Sequence, residues 1–404
     1  MTARRADARS VEVVDIYRNA TRLGELRRSS QGAQFEYDNA FYEAHKSLDG
    51  GAAIHLPYAQ KVFTTQGVNL HSYFAGLLPE GLQLRSLVAR TKTSEDDLFT
   101  LLVAAGADCV GDLFPVLPGS KLEPLEHEPE ERAALDRISF QEVLKRTLDA
   151  GGEPVVPGVQ DKISDAVISL PFATTGKRWI LKLNPPDKPL LVENEYFFMT
   201  LAKHCGLDSA TTRLVHDRDN AAGLLSQRFD RKRVGRRWQG AHQEDACQFL
   251  NKYPSEKYRL SASEVARGLN ICAAPAAECA RLIELLTFSY LIGNGDLHAK
   301  NISLRMSRGA LQLSPAYDLL STRPYKDLKL ALKVEGRDDN LKRRNVVEFG
   351  SRFGVPRKAV EERLDRILTR AEPFIPRVKE IGFDARTTQM LVNLMRKRTA
   401  DLRG

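Results

Sequence analysis

The sequence predicts an α+β protein: a mixed β/α N-terminal subdomain, a β-rich small lobe and a helical C-terminal lobe. β-patterned segments recur between residues 11 and 37 and again between 166 and 227, whereas helical periodicity dominates from 261 to 398. Between the halves, Pro118 to Glu131 is polar and holds several Pro and Glu, which reads as a linker. At 404 residues the chain is also too long for one hydrophobic core. These features draw boundaries at 1–118 for the N-terminal subdomain, 119–150 for the linker leading into the core, 151–240 for the small lobe and 241–404 for the helical lobe.

In chain order, Val11–Tyr17 and Gln34–Tyr37 read as strands, with Arg22–Leu26 between them. Phe74–Gly81 leads into helical periodicity through Leu84–Leu87. Thr93 and Ser94 offer hydroxyl N-caps, with acids in the first turn, ahead of Leu98–Ala105. Gly151–Lys162 is a glycine-containing loop before strand-like Ala166–Leu170. It could lay backbone amides over phosphates with Lys162 as counter-charge, although an ordinary β-turn reads the same. Trp179–Leu183 is a strand with one lysine, Lys182, among apolar residues. Glu193–Phe198 opens a helix on which Glu195 could pair with Lys182. Gly223–Gln227 is a strand running into the polar loop Arg228–Arg231, where a hinge would offer backbone groups to an adenine. Ser261 and Glu264 form a capping box, Arg281–Leu291 is a core helix, and Lys358–Arg370 and Thr387–Arg398 are amphipathic helices.

Composition narrows the class. With 42% hydrophobic and 28% charged residues the chain reads as soluble and globular. Met1–Arg9 is charged with no apolar run behind it, and the apolar stretch Leu98–Ala107 is too short to cross a bilayer. The expectation is a cytoplasmic protein without membrane contact. Five scattered cysteines with no C-x-x-C pair argue against disulfides and zinc. A formal charge of +8 gathers at Arg228–Arg233 with Arg236 and Arg237, and again at Lys342–Arg344. Such runs ordinarily read as solvated faces. No zinc-finger, helix-turn-helix or RNP-like segment accompanies them, so DNA contact is expected only inside a larger assembly.

The most informative segment is Gly293-Asn294-Gly295-Asp296-Leu297-His298-Ala299-Lys300-Asn301-Ile302-Ser303-Leu304. It places Asp296 five residues before Asn301. A second acid, Asp318, follows beyond a hairpin read between Ile302–Leu304 and Leu311–Leu313, with Ser307-Arg308-Gly309 as its turn. Taken singly, these polar residues suit turns. Together, at this spacing, they match the needs of phosphoryl transfer from ATP. One carboxylate takes the acceptor's proton, and an Asn and a second carboxylate hold Mg²⁺. The order of motifs (glycine loop, strand lysine, acidic helix, catalytic loop, metal Asp) is that of a protein-kinase-like, two-lobed fold.

Several segments together resemble the HipA family, the serine/threonine kinase toxins of bacterial type II toxin–antitoxin pairs. Phe74–Gly81 is similar to its F-x-N-L-L-P-E-G, and Ala105–Leu113 to its G-x-D-x-x-G-A-L. Pro157–Lys162 resembles the G-V-Q-x-K phosphate loop, Gln243–Gln248 resembles Q-E-D-x-C-Q, and Tyr317–Ser321 resembles Y-D-x-x-S. The resemblance implies Asp296 as proton acceptor, Asn301 and Asp318 as magnesium ligands and Lys182 as phosphate anchor. It further implies that Pro157, Gly158, Val159, Gln160, Asp161 and Lys162 cover the triphosphate. Gln227, Arg228 and Phe229 would meet the adenine, and His298, Ala299, Lys300, Asn301 and Tyr317 would line the nucleotide site. The family's implied partners are a helix-turn-helix antitoxin of the HipB kind, operator DNA through that antitoxin, and a protein substrate such as an aminoacyl-tRNA synthetase.

Two departures from the family pattern stand out. Gln227 stands where Glu is frequent, and Val155, Val156 and Pro157 stand where regulatory serines precede the phosphate-loop glycine. Two alternatives stay open on sequence: a small-molecule phosphotransferase, and a non-catalytic co-repressor that binds only an antitoxin and DNA.

Overall fold

The computed structural model describes residues 7–29, 32–67, 70–106, 109–120, 135–149, 168–174, 176–235 and 237–404. It divides into two compact units. The first comprises 1–128, 142–159 and 230–254; the second comprises 129–141, 160–229 and 255–404.

The first unit is built on a five-stranded antiparallel sheet. Its strands lie side by side in the order Val62–Gln66, Gly32–Tyr37, Thr21–Ser29, Val13–Arg18 and Leu113–Val116. The stretch around Arg22–Leu26 is thus the central strand, not a connection. Alternating side chains (Val14, Ile16, Leu23, Phe35, Tyr37) feed one core together with Phe74, Leu101 and Leu102. Gly24 sits where a Cβ would lie 2.0 Å from Glu36 O, so the strand accepts no side chain there. The helix Leu98–Ala105 is capped by Asp97, which accepts from the Thr100 amide; the expected hydroxyl caps are corrected accordingly. Thr93 instead donates to the second Asp97 oxygen at 2.9 Å. A carboxylate both caps the amide and answers the helix dipole, which a hydroxyl does not.

Residues 230–254 belong to this unit, although the sequence places the helical lobe from 241 onward. Long-range hydrogen bonds cause the difference. Gly111 N–H donates to Asp230 Oδ2 (3.0 Å), Arg231 donates to Gly111 O (2.8 Å), and Gln248 Nε2 donates to Tyr73 O (2.9 Å). Arg228 and Arg231 are buried, so the basic run is not one solvated face.

The second unit carries a four-stranded antiparallel sheet in the order Thr212–His216, Ala222–Gln227, Lys177–Leu183 and Ile168–Thr174. Trp179, Leu181 and Leu183 are buried on one face, so period-two alternation turns Lys182 to the other. Beyond the helix Leu191–Cys205, the long helix Pro275–Ile292 is buried nearly all round, as a core helix must be. Pro275 starts it in the first turn, where its missing N–H costs nothing, and Gly293 ends it at φ 75°. The helices Arg357–Ala371 and Ala385–Arg403 complete the unit and bury one stripe each. Among the described residues no helix is long and apolar enough to cross a membrane.

Candidate active site

The loop holding Asp296 is shaped by the end of the core helix. Gly293 takes the left-handed conformation, and Asn294 N–H bonds back to Ser289 O at 2.9 Å, which stops the helix. Gly295 then has no space for a side chain, since a Cβ would meet Lys329 O at 2.6 Å and the Thr322 hydroxyl at 2.9 Å. Its amide donates to Thr322 Oγ1 (2.8 Å), and Asp296 N–H donates to Asn294 Oδ1 (2.9 Å). Asn301 closes the loop: its Nδ2 donates to Asp296 O at 2.8 Å, which leaves Oδ1 as its accepting face. The five-residue spacing is therefore a physical ring, closed by one side chain. Asp296 is 3% exposed, and Tyr258 OH donates to its Oδ1 at 2.8 Å.

Across the site, Lys182 stands between two carboxylates. Its ammonium lies 2.7 Å from Glu195 Oε1 and is hydrogen-bonded to Asp318. Burial works against the ammonium, but the Asp318 and Glu195 carboxylates outweigh it and hold Lys182 above its ordinary range. Burial also pushes the Glu195 carboxyl up against the pull of Lys182, with the Asp318 charge acting in the same direction. Both shifts retain protons, as expected where two acids share one cation. Asp318 itself has φ 56°, a left-handed conformation uncommon for a side-chain-bearing residue.

Two side chains tie these parts together. Asn194 is fully buried on the same helix as Glu195; its amide donates to Ser321 O (2.8 Å) and accepts from the Ser321 N–H (3.0 Å). Tyr317 OH donates to Lys300 O at 2.8 Å and meets Ser303 Oγ at 2.7 Å. The residue before Asp318 is thereby joined to the residue before Asn301. The hairpin that makes this possible pairs Ser303–Ser307 with Ala310–Leu313. Arg308 and Gly309, at φ 50° and 80°, form its two-residue turn.

The other predicted positions are distributed as follows. His298 is buried, edge-on to the Tyr258 ring at 4.9 Å, and Ala299 is buried beside it. The Phe229 ring lies 5.6 Å from that of Tyr317. The amides of Gln227 and Arg228 are already engaged, donating to Thr211 O (2.8 Å) and Arg178 O (2.9 Å). A backbone group offered to an adenine at this hinge is therefore one other than these two amides. Pro157, Gly158, Val159, Gln160, Asp161 and Lys162, with Val155 and Val156, lie outside the described residues. Tyr258, Asn194 and Thr322 are contacts that no local motif marks; Tyr258 is 38 positions from its partner.

The α+β architecture with this lysine–glutamate strand–helix pair is of the protein-kinase-like class. The chain belongs to the HipA family. The family model of the HipA-like C-terminal domain matches residues 155–374, and that of the HipA N-terminal domain matches 14–114. Over 400 residues the chain is 28% identical to Y4mE of Sinorhizobium fredii, covering 92% of this chain and 93% of that one. It is 28% identical to the serine/threonine-protein kinase toxin HipA of Shewanella oneidensis over 341 residues, 76% of each chain. In fold it resembles a chain of the Shewanella oneidensis HipA, HipB and operator DNA complex. The TM-score there is 0.77 at 23% identity, with 97% of each chain covered.

Proposed function

We propose that this chain is an ATP- and Mg²⁺-dependent serine/threonine protein kinase that acts as the toxin of a bacterial toxin–antitoxin pair. The observation that carries the reading is the trio in which the buried Lys182 is shared by the buried Glu195 and the partly exposed Asp318. Two carboxylates against one ammonium leave an excess of negative charge, which suits a divalent cation and a lysine poised for phosphate. Asn301 Oδ1 and the Asp318 carboxylate are hard oxygen donors, the kind that Mg²⁺ takes in ones and twos alongside substrate phosphates. A Mg²⁺ ion held by these two residues would supply positive charge against the transferring phosphoryl group.

The chain's own residues do the rest. Lys182, oriented by Glu195, holds the α/β-phosphates. Asp296, with Oδ1 fixed by Tyr258, accepts the acceptor hydroxyl's proton on its carboxylate. Asn301 keeps the loop closed so that this carboxylate and the metal-side groups stay in register. Phe229 and Tyr317 offer an aromatic pair beside the adenine, and Pro157–Lys162 supply the phosphate loop. The relative's complex with HipB and operator DNA supports a helix-turn-helix partner and DNA reached through it. A translation protein such as an aminoacyl-tRNA synthetase is the proposed substrate, in the cytoplasm.

The test is purified protein with Mg²⁺ and labelled ATP, offered a bacterial lysate. Label in one protein band is expected, and Asp296→Ala removes it. Label only in a small metabolite would indicate a small-molecule phosphotransferase, and no label a binding module. Expression of the chain alone is expected to slow growth, while Lys182→Ala is harmless.

A further inference from the structure

The basic run after the hinge is resolved by the structure into a buried root and a free tip. Arg231–Val234 pairs with Arg237–Gly240 as a two-stranded antiparallel ribbon, hydrogen-bonded to no other strand among the described residues. Its root is packed within the first unit. Arg231 is buried on Asp230 at 2.7 Å and on Gly111 O at 2.8 Å, and a Cβ on Gly240 would lie 2.5 Å from Gly111 O. Its tip is open: Gly235, at φ 60°, has nothing within 4 Å of where a Cβ would stand.

Lys232, Arg233, Val234 and Arg237 are exposed, and the ribbon from 231 to 240 contains no acid. Among the described residues none of Lys232, Arg233 and Arg237 has an acidic partner. Other surface arginines do: Arg343 lies 2.7 Å from Asp365, Arg377 2.8 Å from Glu380 and Arg403 2.7 Å from Glu372. Register sets Arg233 opposite Trp238, and Val234 opposite Arg237. The ribbon thus offers unneutralised cations on both faces, with an aromatic ring and an exposed valine among them.

We propose that this ribbon docks directly on the phosphate backbone of double-stranded nucleic acid. Unpaired Lys and Arg at near-strand spacing match a row of phosphates, and a two-stranded β-ribbon fits a B-form major groove. Guanidinium groups gain most where no carboxylate competes for them. The contact belongs to this chain itself, independent of any antitoxin, and does not rest on the kinase reading.

Fluorescence anisotropy of a short labelled DNA duplex, without nucleotide, tests it across about 50 to 200 mM salt. The triple variant Lys232→Ala/Arg233→Ala/Arg237→Ala is compared with Arg27→Ala/Lys46→Ala/Arg90→Ala, which removes the same formal charge from exposed positions of the same unit. The ribbon variant is expected to bind roughly 10- to 100-fold more weakly at low salt. Its log–log salt slope should fall by about 2 to 3, at about 0.9 per phosphate contact. The control should stay near the parent. The double variant Lys232→Gln/Arg237→Gln should lose an intermediate share, with an unchanged thermal melt showing that the fold is intact. Equal losses in ribbon and control variants would overturn the proposal, as would absence of duplex binding by the parent. Ribbon-dependent binding of poly-glutamate but not of duplex would also overturn it, in favour of an acidic protein partner.

Discussion

Two charge clusters in this chain, each with a buried acid at its centre, are built by opposite rules. In the second unit, Lys182 alone faces Glu195 and Asp318, so negative charge is in excess. In the first unit, His242 lies 3.2 Å from Glu244 and 3.6 Å from Asp112, and Arg18 lies 3.0 Å from Asp112. There two cations meet two acids. The Ile54 amide adds a bond to Glu244 at 2.7 Å, and Arg18 also serves Tyr58 OH and Ala52 O. A charge-balanced network holds strands together. An unbalanced one reads as half of a binding site, because burying unmatched charge is costly unless a ligand completes it.

Removing a cation should therefore cost both clusters, but differently. Lys182→Met leaves the buried Glu195 carboxylate facing the partly exposed Asp318 without a cation between them. Loss of about 3–5 kcal/mol of stability is expected from breaking such a pair, along with loss of phosphoryl transfer. Adding Asp318→Asn to Lys182→Met should restore much of the melting temperature and none of the activity. If the double variant melts no higher than the single, the two carboxylates do not repel as described.

At the first cluster the expected signature is pH dependence. Burial works against the imidazolium, yet Asp112 and Glu244 outweigh it and raise His242 to about 9. With the folded value above the unfolded one, the stabilisation is whole below about pH 6.5 and fades as pH rises through about 9. The full effect is roughly 3 kcal/mol, and His242→Gln should flatten it. Denaturant midpoints measured across that range check this, and a parental slope surviving in the variant would place the titration elsewhere.

The smallest effect is expected at Tyr258. Phenylalanine there removes the donor to Asp296 Oδ1 and keeps the ring against His298. Turnover should fall about tenfold while Mg-ATP binding stays near the parent, since the bond lost is to the proton acceptor. An equal loss of Mg-ATP binding would make the tyrosine merely structural.

How much of this was legible in the sequence follows the length of the contacts. The Asp296–Asn301 ring is closed over five residues, and the spacing alone announced it. The Lys182–Glu195 pair spans a strand and the next helix, and the order of motifs was enough. Tyr258 and Asn194 act across 38 and 127 positions, where no periodicity points to a partner. The segment 230–254 was drawn into the first unit by Gly111 and Tyr73, more than a hundred residues away. Burial of Arg228 and Arg231 was hidden for the same reason, since a basic run looks the same paired or solvated. The Asp97 cap was misread locally, because four capping side chains (Thr93, Ser94, Asp96 and Asp97) stood within five residues and only packing selected one.

The most direct measurement compares Asp296→Asn with Asp318→Asn in two assays, Mg-ATP binding by titration calorimetry and transfer of labelled phosphate to a protein acceptor. Asp296→Asn should bind Mg-ATP within about twofold of the parent while transfer drops about 10²- to 10⁴-fold, since only the proton acceptor is lost. Asp318→Asn should weaken Mg-ATP binding itself. Near-parental transfer by Asp296→Asn would contradict the account at its centre.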